Sequence, residues 1–187
     1  EALDVLKDDY KKGPSPLELA SSLYKKMPYK DELSKKQHLD IMMWMPGDIL
    51  LKADKMSMAH SLELRVPYLD RYVMQIAEKI PADKRVNGQR TKCALRDASL
   101  LSIPSEWANR TKKGFPVPIR FWLKEDKYYN IVKTAFMSDY AKEFFDTERL
   151  VKMLDNHKNG TEKNQRKIWT VYTFLVWYKR FFIDFKI

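Results

Sequence analysis

Apolar residues in this chain recur at spacings of three and four far more often than at two, and only five of its 187 residues are glycine. Such spacing lines side chains along one face of a 3.6-residue coil, so helices carry the fold. Ser15-Pro16-Leu17-Glu18 is a capping-box start with proline at the first helical position, and a helix to about residue 26 follows. A periodic run over 35–44 is expected to stop at Pro46-Gly47, after which Asp48 caps a helix carrying Ile49, Leu50, Ala53, Met56 and Ala59. Asp70 caps the next, with Val73, Met74, Ala77 and Ile80 on one face and Pro81 as its end. Asn87-Gly88 is a turn, Thr91 starts a helix to about Ser99, and 103–118 reads as loop. Helices follow over about 119–124 and 126–137, and Asp146 caps one that reaches about His157. The last begins at Thr161, with Ile168, Val171, Tyr172, Leu175, Lys179 and Phe182 on one stripe. Leu62 to Val66 alternates, but so short a run before Pro67 reads as an extended connection rather than a strand. The fold class is mainly α, read as a single helical unit over 1–187.

With 44% hydrophobic and 32% charged residues the chain can bury an ordinary core, which excludes a disordered tail. Lys plus Arg exceeds Asp plus Glu by 35 − 25 = 10, which suggests anionic partners of some kind. No apolar run approaches the ~20 residues needed to cross a bilayer, so no membrane partner is expected. The single Cys93 cannot form an intramolecular disulfide, and a reducing, cytoplasmic compartment is expected. Glu1-Ala2-Leu3-Asp4 has neither an initiator Met nor a signal sequence, so the chain reads as a piece of a longer polypeptide. Two matches to the glycosylation sequon, at Asn109 and Asn159, read as chance without such a signal.

Neither glycine-rich phosphate loop, GxGxxG or GxxxxGK[ST], occurs. His38, His60 and His157 are far apart without a Cys pair, so no metal site is expected, and Cys93 reads as a helix-face residue. Two segments stand out. In 54–70, DKMSMAHSLELRVPYLD, a polar helix end runs into an extended stretch that sets Glu63 and Arg65 on the same side. That arrangement suits a structural ion pair or a carboxylate offered to a substrate, and Met56 and Met58 read as core fillers. In 109–118, a glycine- and proline-bounded loop carries Arg110, Lys112 and Lys113, which suits either a solvated basic loop or neutralisation of phosphate charge.

Together and in this order, the two segments resemble the C-terminal, synthetase-side portion of glutamine-hydrolysing asparagine synthetases. The run 54–70 resembles that family's Glu-x-Arg-x-Pro-Phe/Tyr-Leu-Asp signature, and Thr91-Lys92-Cys93-Ala94-Leu95-Arg96 and Arg110-Thr111-Lys112-Lys113-Gly114-Phe115 fall where the family has similar motifs. The resemblance covers about 48–122; the flanks are similar only in helical character. It implies the helical C-terminal part of an ATP pyrophosphatase (adenine nucleotide α-hydrolase-like) domain. That domain binds ATP and Mg2+, adenylates the side chain of aspartate, and lets glutamine-derived ammonia displace AMP. Carried onto this chain, the resemblance makes Lys112 the loop cation that stabilises phosphate charge and sets Glu63 near the reacting centre. Asp54, Arg65, Asp70 and Lys113 are then expected to shape the site. Lys112 and a buried Glu63 are expected to border one cavity. The family's Ser-Gly-Gly-x-Asp-Ser loop and glutaminase domain are absent from these residues, so the nucleotide-binding sheet is missing and no tightly bound cofactor is expected. The chain alone is expected to be inactive, with exposed apolar surface that self-association into a homo-oligomer would cover. Two other readings stay open: a relative acting on another carboxylate, as in β-lactam synthetases, and a basic helical module that binds nucleic acid. Against the latter, acidic residues are interspersed with the basic ones and no nucleic-acid-binding signature occurs, so no nucleic acid partner is expected.

Overall fold

A computed structural model describes residues 4–28, 31–111, 113–114 and 117–185, and these are mainly α-helical. The chain divides into two compact units: Pro14–Lys113, and Glu1–Gly13 with Gly114–Ile187.

The first of these opens with α1 (Pro16–Lys25), whose capping box forms as its sequence requires: the Ser15 hydroxyl accepts from the Glu18 N–H, and the Glu18 carboxylate accepts from the Ser15 N–H. That bond holds the Glu18 carboxyl below its ordinary range. Helix α2 (Glu32–Leu39) is capped by Asp31, then passes without a break into a π-helix over Asp40–Leu50 and on into α3 (Leu51–Met58). The expected stop at Pro46-Gly47 is therefore corrected. A proline ring crowds the carbonyl four residues back and has no N–H to donate, and the wider π-coil accommodates it without ending the helix. Asp48 is not a cap; its carboxylate accepts from Trp44 Nε1 at 3.0 Å and from Lys52 Nζ at 3.3 Å inside the continuous helix.

Helix α4 (Arg71–Ala77) is capped by Asp70, and α5 (Ala82–Arg85) leads into a hairpin of β1 (Val86–Asn87) and β2 (Arg90–Thr91). Gly88 takes φ +57° at the first position of the two-residue turn, as primed hairpin turns require. Helix α6 (Cys93–Ser99) follows, and α7 (Ser105–Ala108) stands in what the sequence presents as loop. Among the described residues of this unit only Cys93 and Ala108 are buried apolar side chains. Met56 and Met58, expected in a core, are exposed.

The second unit holds the main core. Helices α8 (Ile119–Trp122), α9 (Asp126–Phe136), α10 (Asp139–Phe144), α11 (Thr147–Asn159) and α12 (Gln165–Tyr178) bury Phe136, Leu150, Leu154, Ile168, Val171 and Leu175 completely. Helix α10 escapes the periodic reading because it is only six residues long; the Ser138 hydroxyl caps it. Asp146 caps α11 and Gly160, at φ +84°, ends it. Thr161 does not start α12: its hydroxyl donates to the Asn156 carbonyl, and the helix begins four residues later. His157 is buried as a structural group, its Nδ1 accepting from the Asn164 N–H and its Nε2 facing the Arg120 carbonyl at 3.1 Å. The expected stripe on α12 is buried at Ile168, Val171 and Leu175, but Lys179 and Phe182 are exposed. A π-helix over Lys179–Ile183 changes the residues per turn there, so the 3.6-residue stripe leaves the core. The N-terminal segment is tied in through a bridge between Leu6 and Phe145, with Val5 buried. No described helix is long and apolar enough to cross a membrane.

Leu154 touches no solvent, so Leu154→Ala removes buried methyl groups and leaves a cavity. It is expected to lower unfolding free energy by about 2–5 kcal/mol in urea denaturation, whereas exposed Ile131→Ala shifts it by under about 1 kcal/mol.

Candidate functional site

The segment 54–70 is shaped by how α3 ends. Leu62 N–H donates to the Ser57 carbonyl at 3.0 Å and Ser61 N–H donates to that of Met58 at 3.1 Å, which is the Schellman pattern, with Ser61 in the left-handed region at φ +55°. The chain leaves this turn extended, and Pro67 then opens a 3-10 turn over Pro67–Leu69 before α4. Glu63 and Arg65 project from the extended stretch on the same side, as their spacing predicts, and pair at 2.6 Å. Both remain exposed, at 69% and 84% of their side-chain surface. The expectation of a buried Glu63 is thus corrected. With only four residues between the Schellman turn and Pro67, the stretch pairs with no strand and lies open to solvent.

Asp70 is the N-cap of α4, its carboxylate accepting from the N–H groups of Tyr72 and Val73. That bonding gives it a structural task. Asp54 lies exposed on α3, and its backbone carbonyl accepts from the Ser57 hydroxyl. Lys113 is exposed, and Lys112 lies outside the described residues. Among the described residues no hydrogen bond or ion pair links Glu63 to the basic loop.

The approach to that loop is held by groups to which the sequence assigns no role. Lys92 sits at φ +57°, a left-handed conformation costing a non-glycine residue roughly 1 kcal/mol or more, and turns the hairpin into α6. From α6, the Arg96 guanidinium donates to three backbone carbonyls: Nε to Thr91 at 2.9 Å, and Nη1 to Ala108 at 2.9 Å and Arg110 at 3.1 Å. Arg90 pairs with Asp97 at 2.5 Å, and that bond holds the Asp97 carboxyl below its ordinary range. The Arg110 guanidinium lies over the Trp107 ring, 5.2 Å from its centroid. Between these groups is a cavity of about 320 Å³ lined by Gln89, Arg90, Thr91, Arg96, Asn109 and Thr111. Most of the donors around it are already engaged: Arg96 with backbone carbonyls, Arg90 with Asp97, and the Asn109 amide with the Ser105 carbonyl at 3.1 Å. A larger cavity of about 530 Å³ lies beside Gln37, His38, Met74 and Arg85, and none of the site residues expected from the sequence lines it. Among the described residues no group of three or more His, Cys, Asp or Glu side chains could hold a metal ion.

Replacing Ser61 by glycine relieves the left-handed backbone without removing a described hydrogen bond of its side chain. Ser61→Gly is expected to raise stability by about 1 kcal/mol in urea denaturation, and Ser61→Val to lower it.

The Asparagine synthase family model matches residues 2–179, beyond 48–122 and well into both flanks, so the expectation that the flanks share only helical character with the family is corrected. The chain is 43% identical over 147 residues to "Asparagine synthetase [glutamine-hydrolyzing] 1" of Bacillus subtilis, covering 79% of this chain and 23% of that protein. It is 40% identical over 151 residues to a "Putative asparagine synthetase [glutamine-hydrolyzing]" of Mycobacterium tuberculosis, covering 81% and 23%. A more distant relative, "Amidase chry2" of Gibberella zeae, is 28% identical over 156 residues, covering 78% and 23%. The chain thus spans about a quarter of the length of these relatives. No solved structure matches it. With nearly its whole length matched by the family model, the chain belongs to the asparagine synthase family.

Proposed function

We propose that these residues serve the synthetase half of a glutamine-dependent asparagine synthetase, within an ATP pyrophosphatase-type domain acting in the cytoplasm. Aspartate and ATP are then its substrates. A side-chain carboxylate oxygen of aspartate attacks the α-phosphorus, the bond to pyrophosphate breaks, and ammonia attacks the resulting acyl carbon. AMP leaves and the nitrogen loses a proton, giving asparagine. Ammonia comes from glutamine at a glutaminase domain outside these residues. The observation that carries this reading is the family match over residues 2–179, which takes in the run from Arg110 to Phe115 that includes Lys112.

In the first step, charge builds on the leaving pyrophosphate, and a cation already in place stabilises it without reorganising solvent. Lys112 takes that role, with Lys113 adding positive field from the same loop. Glu63 borders the reacting centre from the extended stretch after α3; Arg65 holds its carboxylate, Asp70 fixes the start of the following helix, and Asp54 stands on the helix before it. Mg2+ is expected with ATP, but the described residues offer no cluster to hold it, so no step of theirs runs through the metal.

Complementation of an asparagine auxotroph tests the reading. The full-length protein carrying this segment is expected to restore growth without asparagine and to release AMP and pyrophosphate in an aspartate-dependent reaction. Lys112→Ala is expected to slow that release roughly 10²–10³-fold, the usual cost of removing one preorganised charge-stabilising group. The 187 residues alone are expected to form no asparagine. Failure of the full-length protein, release that depends on a different carboxylate, or undiminished turnover by Lys112→Ala would each overturn the assignment.

A further inference from the structure

We infer that Arg96 is the positioning residue of the basic loop: its guanidinium, braced on the hairpin, holds the backbone two residues before Lys112. The inference rests on the proposed synthetase reading for its catalytic consequence but not for its structural one.

Arg96 sits on α6, where helical geometry fixes its Cα, and its five donors form a rigid planar fork. Nε is satisfied by the carbonyl of Thr91, at the end of β2 and just before the left-handed Lys92. That bond orients the plane. Nη1 then reaches the carbonyls of Ala108 and Arg110 together. Ala108 is the last residue of α7, so its carbonyl has no partner further along the helix, and Ala108 is itself buried. Arg110 follows the C-cap residue Asn109, where the chain has left helical geometry and no regular element holds it. One side chain therefore ties the hairpin, the end of α7 and the start of the basic loop to a single point.

This gives a task to the arginine of the Thr91-Lys92-Cys93-Ala94-Leu95-Arg96 motif. The arginine faces carbonyl oxygens, so it works on the backbone of this chain rather than on a substrate atom. A misplacement of about 1 Å in a catalytic group can slow turnover about 10²-fold, so an anchor two residues from the cation has the leverage to matter. Lysine cannot replace it: an ammonium is a point donor that cannot satisfy three carbonyls in the plane of a guanidinium. Leaving the Ala108 carbonyl unpaired would free the loop while the rest of α6 stays packed through Cys93.

The test uses the full-length protein with Arg96→Lys and Arg96→Gln, read by hydrogen exchange and by steady-state kinetics. In both variants, the amides of Ala108, Asn109 and Arg110, which donate to the carbonyls of Pro104, Ser105 and Trp107, are expected to exchange at least tenfold faster, while those of α9, α11 and α12 keep wild-type protection. For aspartate-dependent AMP release, kcat is expected to fall about 10–100-fold with KM for aspartate within threefold, the split that follows when a charge-stabilising group is displaced and ground-state binding is not. Loop amides that exchange at the wild-type rate in Arg96→Lys would overturn the anchor, whatever the activity. So would a loss of protection spread evenly through α9, α11 and α12, whereas a wild-type kcat in Arg96→Lys with the loop loosened would overturn the positioning role. A wild-type protein that turns over no aspartate, with the loop nonetheless loosened by Arg96→Lys, would leave the anchor standing and overturn the synthetase reading instead.

Discussion

Planar guanidinium groups do the local fixing in Pro14–Lys113. Large apolar side chains there, among them Leu62, Leu64, Tyr68, Leu101 and Trp107, face solvent, and the described residues bury little more than Cys93 and Ala108. Hydrophobic burial cannot then decide where the loops lie. Arg96 ties three carbonyls together, and Arg85 does the same for side chains, with Nη1 on Gln37 at 2.6 Å and Nη2 on Ser34 at 2.8 Å, beside Asp31. Both link stretches distant in sequence. A structure fixed this way depends on a few residues, because deleting one fork strands several acceptors at once, each costing about 1–3 kcal/mol where it is buried.

The other unit shows the opposite arrangement. Helices α9, α11 and α12 converge on Phe136, Leu150, Leu154, Ile168 and Leu175, and polar groups there satisfy one another around that core. His157 accepts from one side of its ring and faces a carbonyl on the other, and Tyr129 donates to Asp155 at 2.5 Å. Phe144, Phe174 and Tyr178 meet edge-on or stacked beside Tyr10, closing the N-terminal segment against α10 and α12. Here many weak contacts share the load, so loss of one is felt as stability rather than as a displaced loop.

What the sequence reveals follows the same division. Caps are legible because they need one side chain at one position: Ser15, Asp70 and Asp146 all act as their spacing predicts. The core stripe of α12 is legible up to Leu175, since burial and a 3.6 period coincide there. Periodicity fails wherever the backbone departs from that period, as at Pro46 and beyond Tyr178, because a π-turn leaves no mark in the residue pattern. The Glu63–Arg65 pair is legible from spacing, but its exposure is not, since burial depends on what packs over the stretch. The Arg96 anchor is illegible for a related reason: its partners are backbone carbonyls, which every residue has, so no residue type at 108 or 110 announces them.

The same point bears on the excess of ten positive charges. A formal count treats every cation as available, yet Arg65, Arg90, Lys158 and Lys167 face Glu63, Asp97, Asp126 and Asp4 within ion-pair distance, and Arg96 spends its donors on the backbone. Exposed pairs of this kind add little stability, but they do cancel field locally. The positive potential an anion meets is therefore set by where cations stand without a neighbouring acid. A broad basic surface suits a polyanion that slides along it, because phosphate contacts without base readout are interchangeable. A cavity suits a compact charge only where donors are left over to face it, and beside the cavity at Gln89 and Thr111, Arg90 faces Asp97 while Arg96 donates to backbone carbonyls, so these two groups fix the walls rather than supply free charge.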